Sequence, residues 1–330
     1  MFEFLGHVFT KKEDKTIQFD IPSFYGMLDT QIPVHVRHSG KKGPIVLVTS
    51  LIHGDEINGM RIAQFIINSK RFKLLKGTLI IIPIINLYGF LNKTRYLPDR
   101  KDLNRFFPGS EKGSFGSRFA HHILQNIGLK ADIILDLHSG GLGRYNIPQI
   151  RCDFTTQNIS KLLDEVEIPL VVNSSIKDGS FREALFEAGK ICLVFEGGEG
   201  LRFDSKITKH GVNFISSVLK FYGMISGKNL KEVKDKLIIN KTRWIRAPKS
   251  GIVVNKFKIG KIVKKNHEFG EIKDIQGQTV SKILSQADGI VLGMHMNPLA
   301  MSGDALYHVG FIHSKNDLDE ENYDWAEFND

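Results

Sequence analysis

Hydrophobic residues follow two alternating patterns over the first 225 residues. Short continuous apolar runs predict buried strands, and apolar residues spaced three or four apart between them predict amphipathic helices. The predicted strands cover residues 45–52, 77–85, 131–137, 170–172 and 191–195, and the predicted helices cover 57–70, 119–127, 180–188 and 212–222. Because such alternation is typical of a mostly parallel sheet flanked by helices, we predict an α/β fold.

The pattern changes after residue 226. Between Trp244 and His313 there is no helical period, and short β-prone runs are separated by Gly and Asn. A length of 330 residues also exceeds the usual single-domain size of about 150. We therefore predict a first domain at residues 1–235, whose first 40 residues have no evident strand partner, and a smaller all-β domain at 243–313. An acidic tail at 314–330 is expected to be disordered.

The net charge of +9 is distributed unevenly. Residues 317–330 hold seven acids and no Lys or Arg, which leaves +16 on residues 1–316. The lysines are scattered rather than clustered with aromatic residues, so a solvated basic surface is favoured over a nucleic-acid interface. We expect no nucleic-acid partner, whereas attraction of anionic substrates is compatible with this charge.

The sequence indicates a cytoplasmic protein without a membrane partner. No segment approaches the ~20 uninterrupted apolar residues of a membrane span, and the N-terminus lacks a basic stretch followed by a long apolar run. Cys152 and Cys192 are too few for a disulfide framework, and neither belongs to a Cys-x-x-Cys pair. Both thiols are expected to be buried and inert.

The first predicted strand leads into His53-Gly-Asp-Glu56. An imidazole and a carboxylate three residues apart at the first turn of a helix can converge on one Zn²⁺, and a catalytic zinc site needs one further protein ligand. Alone, the pair is weak evidence, because a random sequence of this length contains one in roughly a third to a half of cases. A zinc site is therefore indicated only if further candidate ligands follow elsewhere in the chain.

Asp136-Leu-His138 ends another predicted strand. His138 is the candidate third ligand, and Asp136, two residues earlier, shares its face of the strand and could orient it. A capping histidine beside a structural aspartate is the alternative interpretation of this pair.

Two arginines lie in the region between the second and third predicted strands. Arg95, in Thr94-Arg-Tyr96, could stabilise a developing oxyanion, and loss of one such donor costs about 10²–10³ in rate. In Asp102-Leu-Asn104-Arg105, Arg105 could grip a carboxylate bidentately while Asn104 adds amide donors. Solvated surface side chains are the alternative for both segments.

Phe195-Glu196-Gly-Gly-Glu199-Gly follows the last predicted strand of the α/β region. Glu196, the first residue after the apolar run, is placed to act as general base on a metal-bound water, and Glu199 is the second candidate. Both could instead be exposed in a flexible loop, and this segment alone does not choose between them. It lacks the Gly-Lys-Ser/Thr ending of a phosphate-binding loop, so nucleotide binding is disfavoured.

Five motifs in this order resemble the succinylglutamate desuccinylase/aspartoacylase family, relatives of the zinc carboxypeptidases, over about residues 40–225. The motifs are His53-Gly-Asp-Glu56, Thr94-Arg-Tyr, Asp102-Leu-Asn-Arg105, Asp136-Leu-His138 and Phe195-Glu196-Gly-Gly. The resemblance implies one Zn²⁺ per chain held by His53, Glu56 and His138, Glu196 as base, Arg95 as oxyanion stabiliser, and Asn104 with Arg105 as the site for the substrate's carboxylate.

The resemblance implies a zinc-dependent hydrolase that removes the acyl group from an N-acyl amino acid or a similar small amide. A zinc metallocarboxypeptidase acting on peptide C-termini is the nearest alternative, and a non-catalytic module that binds anions or nucleic acid is the alternative from another class. The partner is then a small molecule, and a homo-oligomer is compatible with the sequence.

The C-terminal β-rich segment resembles the biotinyl/lipoyl-like barrel-sandwich domain. Carrier domains of that fold present a lysine at a hairpin tip, but the equivalent turn here, residues 275–279, contains none. We therefore expect this segment to shield the active-site mouth or to mediate contacts between subunits, rather than to carry a cofactor.

Overall fold

The computed structural model describes residues 1–23, 30–156, 159–227 and 236–312, so the predicted acidic tail lies outside the described residues. Within them the strands are β1 (Phe2–Phe4), β2 (His7–Phe9), β3 (Lys12–Ile21), β4 (Thr30–Ser39), β5 (Ile45–Ser50), β6 (Thr78–Ile82), β7 (Ile133–Gly140), β8 (Arg144–Cys152), β9 (Leu170–Asn173), β10 (Ile191–Glu199), β11 (Leu237–Ile239), β12 (Thr242–Arg246), β13 (Gly251–Asn255), β14 (Ile262–Val263), β15 (Glu268–Lys273), β16 (Thr279–Leu284), β17 (Gly289–His295), β18 (Leu299–Ala300) and β19 (Ala305–Phe311).

The α-helices of the same residues lie in the first two thirds of the chain. They are α1 (Asn58–Asn68), α2 (Leu87–Leu91), α3 (Phe115–Asn126), α4 (Ile159–Glu165), α5 (Phe181–Glu187) and α6 (Ser205–Phe221). Three short 3₁₀ turns cover Lys70–Phe72, Leu103–Arg105 and Gly128–Lys130. The strands and helices predicted from the hydrophobic pattern are all present. Their ends differ by up to four residues, except that α6 begins at Ser205, seven residues before the predicted start at Val212.

Four parallel strands form the centre of the main sheet, in the order β10, β7, β5, β6. Helices α1 and α6 pack on one face and α3 and α5 on the other, each against a separate hydrophobic cluster. The predicted α/β class is therefore confirmed. Because parallel strands all point the same way, their carboxyl ends meet at one edge, where functional groups of such sheets collect.

Antiparallel strands extend this centre on both sides. The hairpin of β3 and β4, whose pairing the sequence left open, adds to β6, while β1 and β2 form a separate small sheet. On the other side β8 pairs antiparallel with β10, and then β17, β19 and β12 continue the sheet. The pattern predicted no strand at β8, which turns out to join the α/β part to the strands that follow it.

We define the C-terminal β region as residues 242–312. Its strands β12, β17 and β19 belong to the main sheet, while β16, β15, β13 and β18 form a second sheet, and the two share one hydrophobic core. The turn between β15 and β16 is the predicted hairpin tip, and Ile275 there is 95% exposed. The division into domains and the barrel-sandwich resemblance stay predictions.

Cys152 and Cys192 are both buried and free, as predicted, and burial raises the pKa of the Cys152 thiol to about 12. In the described parts of the chain, no helix combines the length and apolar character needed to cross a bilayer.

Candidate metal centre

The structure brings His53, Glu56 and His138 together at the carboxyl ends of β5 and β7. One ligand atom from each lies within 4.8 Å of the others, and the residues are only 3%, 2% and 6% exposed. His53 and Glu56 occupy the turn before α1, where the backbone N–H of Glu56 donates to the His53 carbonyl, so the prediction that they stand in a helix's first turn was wrong. The turn nevertheless directs both side chains towards His138.

The two histidines face Glu56 in the same way. His53 Nδ1 lies 2.8 Å from Oε1 of Glu56, and His138 Nδ1 lies 2.9 Å from Oε2. The opposite ring nitrogens contact other carboxylates: His53 Nε2 is 3.2 Å from Asp102, and His138 Nε2 is 2.8 Å from Asp136. A carboxylate behind each imidazole is the usual support of metal-ligating histidines, because it fixes the tautomer and the ring orientation.

Asp136 is itself held in place. It shares a register position with Thr49 of β5, whose hydroxyl donates to Oδ1 of Asp136 at 2.7 Å. Asp136 and His138 lie on the same face of β7, as the two-residue period predicted. The second carboxylate, Asp102, reaches His53 from the loop before α3, and its orienting contact was missed because 49 residues separate the two in sequence.

The charges of this cluster favour a cation. Burial alone would raise the pKa of Glu56, but the adjoining His53 and His138 hold it well below its usual value. Burial alone would lower the pKa of His138, but Asp136 and Glu56 raise it well above its usual value. Three buried or half-buried carboxylates therefore surround two imidazoles, a donor set that fits a divalent metal and, in its two-histidine-one-glutamate composition, a catalytic zinc site.

Gly141, just after β7, keeps the space beside Glu56 open. A Cβ at this position would lie 3.2 Å from Oε1 of Glu56 and 3.3 Å from Nη1 of Arg95. Any larger residue would crowd the Glu56 carboxylate, so glycine at this position keeps the space beside Glu56 open.

Arg95 joins the cluster directly. Its Nη1 donates to Oε1 of Glu56 at 3.1 Å, and its Nε and Nη2 donate to Oδ2 of Asp102 at 3.1 and 2.9 Å. Burial alone would lower the pKa of Arg95, but Glu56 and Asp102 raise it. A guanidinium has five N–H groups, so Arg95 retains donors for a further anion while it is fixed by these carboxylates.

Glu196 lies beside His138 on the next strand. The two residues share a register position in β10 and β7, and the Glu196 side chain is 13% exposed. Oε2 of Glu196 accepts from Nδ2 of Asn146 at 2.9 Å, and Oε1 lies 3.5 Å from Nη1 of Arg151. Glu196 is thus inside a strand that continues to Glu199, rather than in the flexible loop of the alternative interpretation.

Glu199 faces a different environment. Its carboxylate pairs with Arg202 at 3.2 Å, and the Arg202 side chain is 78% exposed. The side chain of Asn58 donates to the carbonyls of Glu199 and Arg202 and accepts from the N–H of Asp204, which ties this segment to α1. Glu199 is therefore the last residue of β10, and its carboxylate, 18% exposed, pairs with an exposed arginine beyond the strand.

Asn104 and Arg105 lie further out than the other predicted residues. Asn104 accepts a hydrogen bond from the backbone N–H of Phe181 at 2.8 Å, so it joins this loop to the start of α5. Arg105 is exposed, and its Nη1 donates to the Asn104 carbonyl. Their role in binding a substrate carboxylate stays a prediction.

Three cations that the sequence analysis did not single out lie near Glu196 and Arg95. Burial, then Arg151 and Arg105, lower the pKa of Lys177, and burial, then Arg95, lower the pKa of Arg144. Among the described residues, the buried Nε atoms of Arg144 and Arg151 have no hydrogen-bond partner. Three cations therefore lie in the surroundings of Glu196, and one of them, Arg151, pairs with its carboxylate at 3.5 Å.

The C-terminal β region lies near the same cations. Burial, then Arg151 and Lys177, lower the pKa of His308 to about 3, so its ring is neutral at physiological pH. Trp244 stacks on His308 with ring centroids 4.7 Å apart, and the guanidinium of Arg144 lies 5.2 Å from the Trp244 ring centroid. No motif marked Trp244 or His308 as a site residue, since only strand pairing brings them to this side of the sheet.

Replacing Asp102 by Asn tests the support of His53. We expect the zinc Kd to rise about 10–100-fold, because a carboxylate behind a ligating histidine typically contributes that much. The measurement is competition with a chromophoric zinc chelator. Asp99→Asn is the matched control in the same loop, because within the described residues Asp99 accepts a single, local hydrogen bond from the backbone N–H of Lys101. An unchanged Kd in D102N would mean that His53 does not depend on this contact for metal binding.

The succinylglutamate desuccinylase/aspartoacylase catalytic domain matches residues 42–222. N-alpha-acetyl-L-2,4-diaminobutyric acid deacetylase of Halomonas elongata is 30% identical over 189 residues, which are 57% of this chain and 51% of that protein. The chain thus matches about half the length of this curated relative.

Solved structures share the fold over most of the chain. A succinylglutamate desuccinylase/aspartoacylase from Rhodobacter sphaeroides has a TM-score of 0.79 at 24% identity, covering 91% of this chain and 97% of that one. The product-bound ectoine utilization protein from Ruegeria pomeroyi has a TM-score of 0.81 at 22% identity, covering 92% and 98%. Both alignments leave less than a tenth of this chain uncovered.

Proposed function

The chain belongs to the succinylglutamate desuccinylase/aspartoacylase family, and on this basis we propose that it is a zinc-dependent hydrolase that cleaves the amide bond of a small N-acyl amino acid. The observation that carries the proposal is the buried cluster of His53, Glu56 and His138, in which a carboxylate supports each histidine. The name of the Halomonas relative, a deacetylase of an acylated amino acid, agrees with amide hydrolysis.

In this proposal each residue has one role. His53, Glu56 and His138 hold zinc, and Asp102 and Asp136 orient the two rings. When bound, zinc supplies a Lewis acid that lowers the pKa of water and polarises a carbonyl.

Glu196 removes a proton from the attacking water and later delivers it to the leaving amine, which requires a carboxylate close to the metal ligands. Its register position beside His138 supports this assignment over Glu199. Arg95, already fixed by Glu56 and Asp102, donates its remaining N–H groups to the developing oxyanion. Arg105 with Asn104 binds the substrate's carboxylate.

The two alternative functions would use different parts of the site. A metallocarboxypeptidase would use the same zinc ligands but accept a peptide chain, and a non-catalytic module would use only the basic surface. The buried histidines with their supporting carboxylates favour chemistry over surface binding, because such an arrangement is costly to bury unless it holds a metal. A cytoplasmic location and assembly into a homo-oligomer belong to the same proposal.

The test is amine release by the zinc-reconstituted protein. The panel contains N-acetyl, N-succinyl and N-formyl amino acids and short peptides, with Glu196→Gln as the blank. We expect turnover of one class of single acylated amino acid that the blank does not show. Turnover of peptides instead would make the protein a carboxypeptidase, and silence across the panel together with salt-sensitive binding to nucleic acid would favour the non-catalytic module.

The cations near Glu196 predict which members of the panel react. A substrate with a free ammonium group would place a further positive charge near Arg144, Arg151 and Lys177. Placing like charges next to each other weakens binding, by up to several kcal/mol. We therefore expect kcat/KM for N-acetyl-2,4-diaminobutyrate to be at least about 10-fold lower than for N-acetylglutamine, a difference of roughly 1.4 kcal/mol.

Lys177→Met should reduce this difference in kcat/KM between the two substrates. Lys130→Met is the control and should leave the difference unchanged, because Lys130 is an exposed lysine just before the amino end of β7. An equal or higher kcat/KM for the ammonium-bearing substrate in the wild-type protein would contradict the assignment of these cations to the substrate cleft.

A further inference from the structure

A row of paired residues connects the active-site strand to the C-terminal β region. Gly198 of β10 pairs with Asn146 of β8, Asn146 pairs with Gly293 of β17, and Gly293 pairs with His308 of β19. Strand β8 therefore has Glu196 on one side and the C-terminal β region on the other. A contact from the C-terminal β region that orients a side chain of β8 can therefore change the surroundings of the Glu196 carboxylate.

Asn146 makes the shortest contact to the Glu196 carboxylate among the described residues. The side chain is buried, and its Nδ2 donates to Oε2 of Glu196 at 2.9 Å, whereas Arg151 is 3.5 Å from Oε1. A carboxylate on a strand can rotate about its side-chain torsions, and one short hydrogen bond to a buried donor selects one orientation. Asn146 is therefore placed to aim Glu196.

Gly293 leaves the space in which the Asn146 amide lies. A Cβ at residue 293 would be 2.4 Å from Oδ1 of Asn146 and 3.2 Å from the carbonyl oxygen of Tyr145. Gly293 does not have a positive φ, so the backbone conformation does not require glycine there. Glycine in a strand interior is otherwise unfavourable, and close approach of a neighbouring group is its usual reason.

Irregular pairing occurs on both sides of Asn146. The register between β10 and β8 shifts between Glu196 and Gly198, and the register between β17 and β19 shifts between Val291 and Gly293. Bulges of this kind change the direction of a side chain and are common next to active sites. Here they accompany the turn of the Asn146 amide towards Glu196.

We propose that strand β17 of the C-terminal β region positions the general base: Gly293 admits the Asn146 amide, and Asn146 holds Glu196 in its working orientation. Asn146 and Gly293 are positioning residues, since neither touches the reacting atoms. The inference rests on the proposed function only in the role given to Glu196. It assigns the C-terminal β region a part in catalysis, beyond shielding the site.

The kinetic test compares Asn146→Ala, Gly293→Ala and the double variant. We expect each single change to lower kcat about 10–100-fold with KM and zinc content nearly unchanged, because a displacement of ~1 Å at a catalytic group can cost about 10²-fold. The double variant should be no slower than N146A, because the amide with which the new methyl group collides is then absent. Such non-additivity is the signature of one shared contact.

Gly310→Ala is the matched steric control. A Cβ at residue 310 would lie 2.8 Å from the Ile239 side chain and 3.1 Å from that of Leu292, so it crowds the core of the C-terminal β region away from Asn146. We expect G310A to lower Tm but to keep kcat within about 2-fold of the wild-type value. Should G293A fail to fold, Asn146→Leu, which keeps the approximate shape and removes the donor, tests the contact with Glu196 by itself.

A second readout does not need turnover. The side-chain amide of Asn146, identified in a ¹⁵N spectrum by its loss in N146A, should shift in both G293A and E196Q and stay in place in G310A. Wild-type kcat in N146A or N146L, additive losses in the double variant, or an amide signal insensitive to Gly293 would each overturn the proposal. A wild-type protein without amidase activity would instead refute the proposed function, and the amide signal would still decide whether β17 controls the contact.

Discussion

Glu196→Gln is expected to lower kcat about 10³-fold while the protein still binds one zinc per chain. General acid–base catalysis contributes about 10²–10⁴-fold, and an amide in place of the carboxylate cannot accept a proton from water. Zinc binding should persist, because Glu196 is adjacent to His138 in the sheet but contacts Asn146 and Arg151 rather than the three ligands. Amine release and zinc content measured on the same preparation check both parts.

Glu199→Gln is the matched control for this variant. It makes the same chemical change three residues later, in a carboxylate that pairs with the exposed Arg202. Exposed ion pairs contribute about 0–1 kcal/mol, so we expect activity within about 3-fold of the wild-type value. Near-normal turnover in E196Q would refute its role as base, and a large loss confined to E199Q would transfer that role to Glu199.

His138→Ala is expected to abolish both zinc binding and turnover. The change removes one of three ligands and leaves the buried carboxylates of Glu56 and Asp136 without the ring that separates them, so zinc content should fall from about one per chain to below about 0.1. Thermal unfolding gives a readout independent of activity. Zinc at 100 times its Kd stabilises the wild-type fold by about 2.7 kcal/mol, and this rise in Tm should be absent in H138A.

His121→Ala is the control for the loss of an imidazole. His121 lies on α3, where its Nε2 is 3.6 Å from the exposed Glu111. Its removal should change neither zinc content nor the zinc-dependent rise in Tm. If H138A still binds zinc stoichiometrically, the metal is held by a different set of residues, and the centre described here is not the zinc site.

Much of the fold followed from the sequence because its signals are local. The buried strands β5, β7 and β10 are short apolar runs, and the helices between them have apolar residues three or four apart. The antiparallel strand β8 was missed because Arg144, Asn146, Gln149 and Arg151 interrupt its apolar pattern. Two of these polar side chains, Asn146 and Arg151, contact the Glu196 carboxylate.

The sequence by itself determined the metal ligands as candidates and placed them at the ends of parallel strands, since the chemistry of His53, Glu56 and His138 and the two-residue period of a strand can be recognised within a few residues. Only the tertiary structure decided what surrounds them. The contact of Asp102 with His53 spans 49 residues, and that of Asn146 with Glu196 spans 50. Contacts at such separations arise from strand order and loop packing, and these have no periodic signature in the chain.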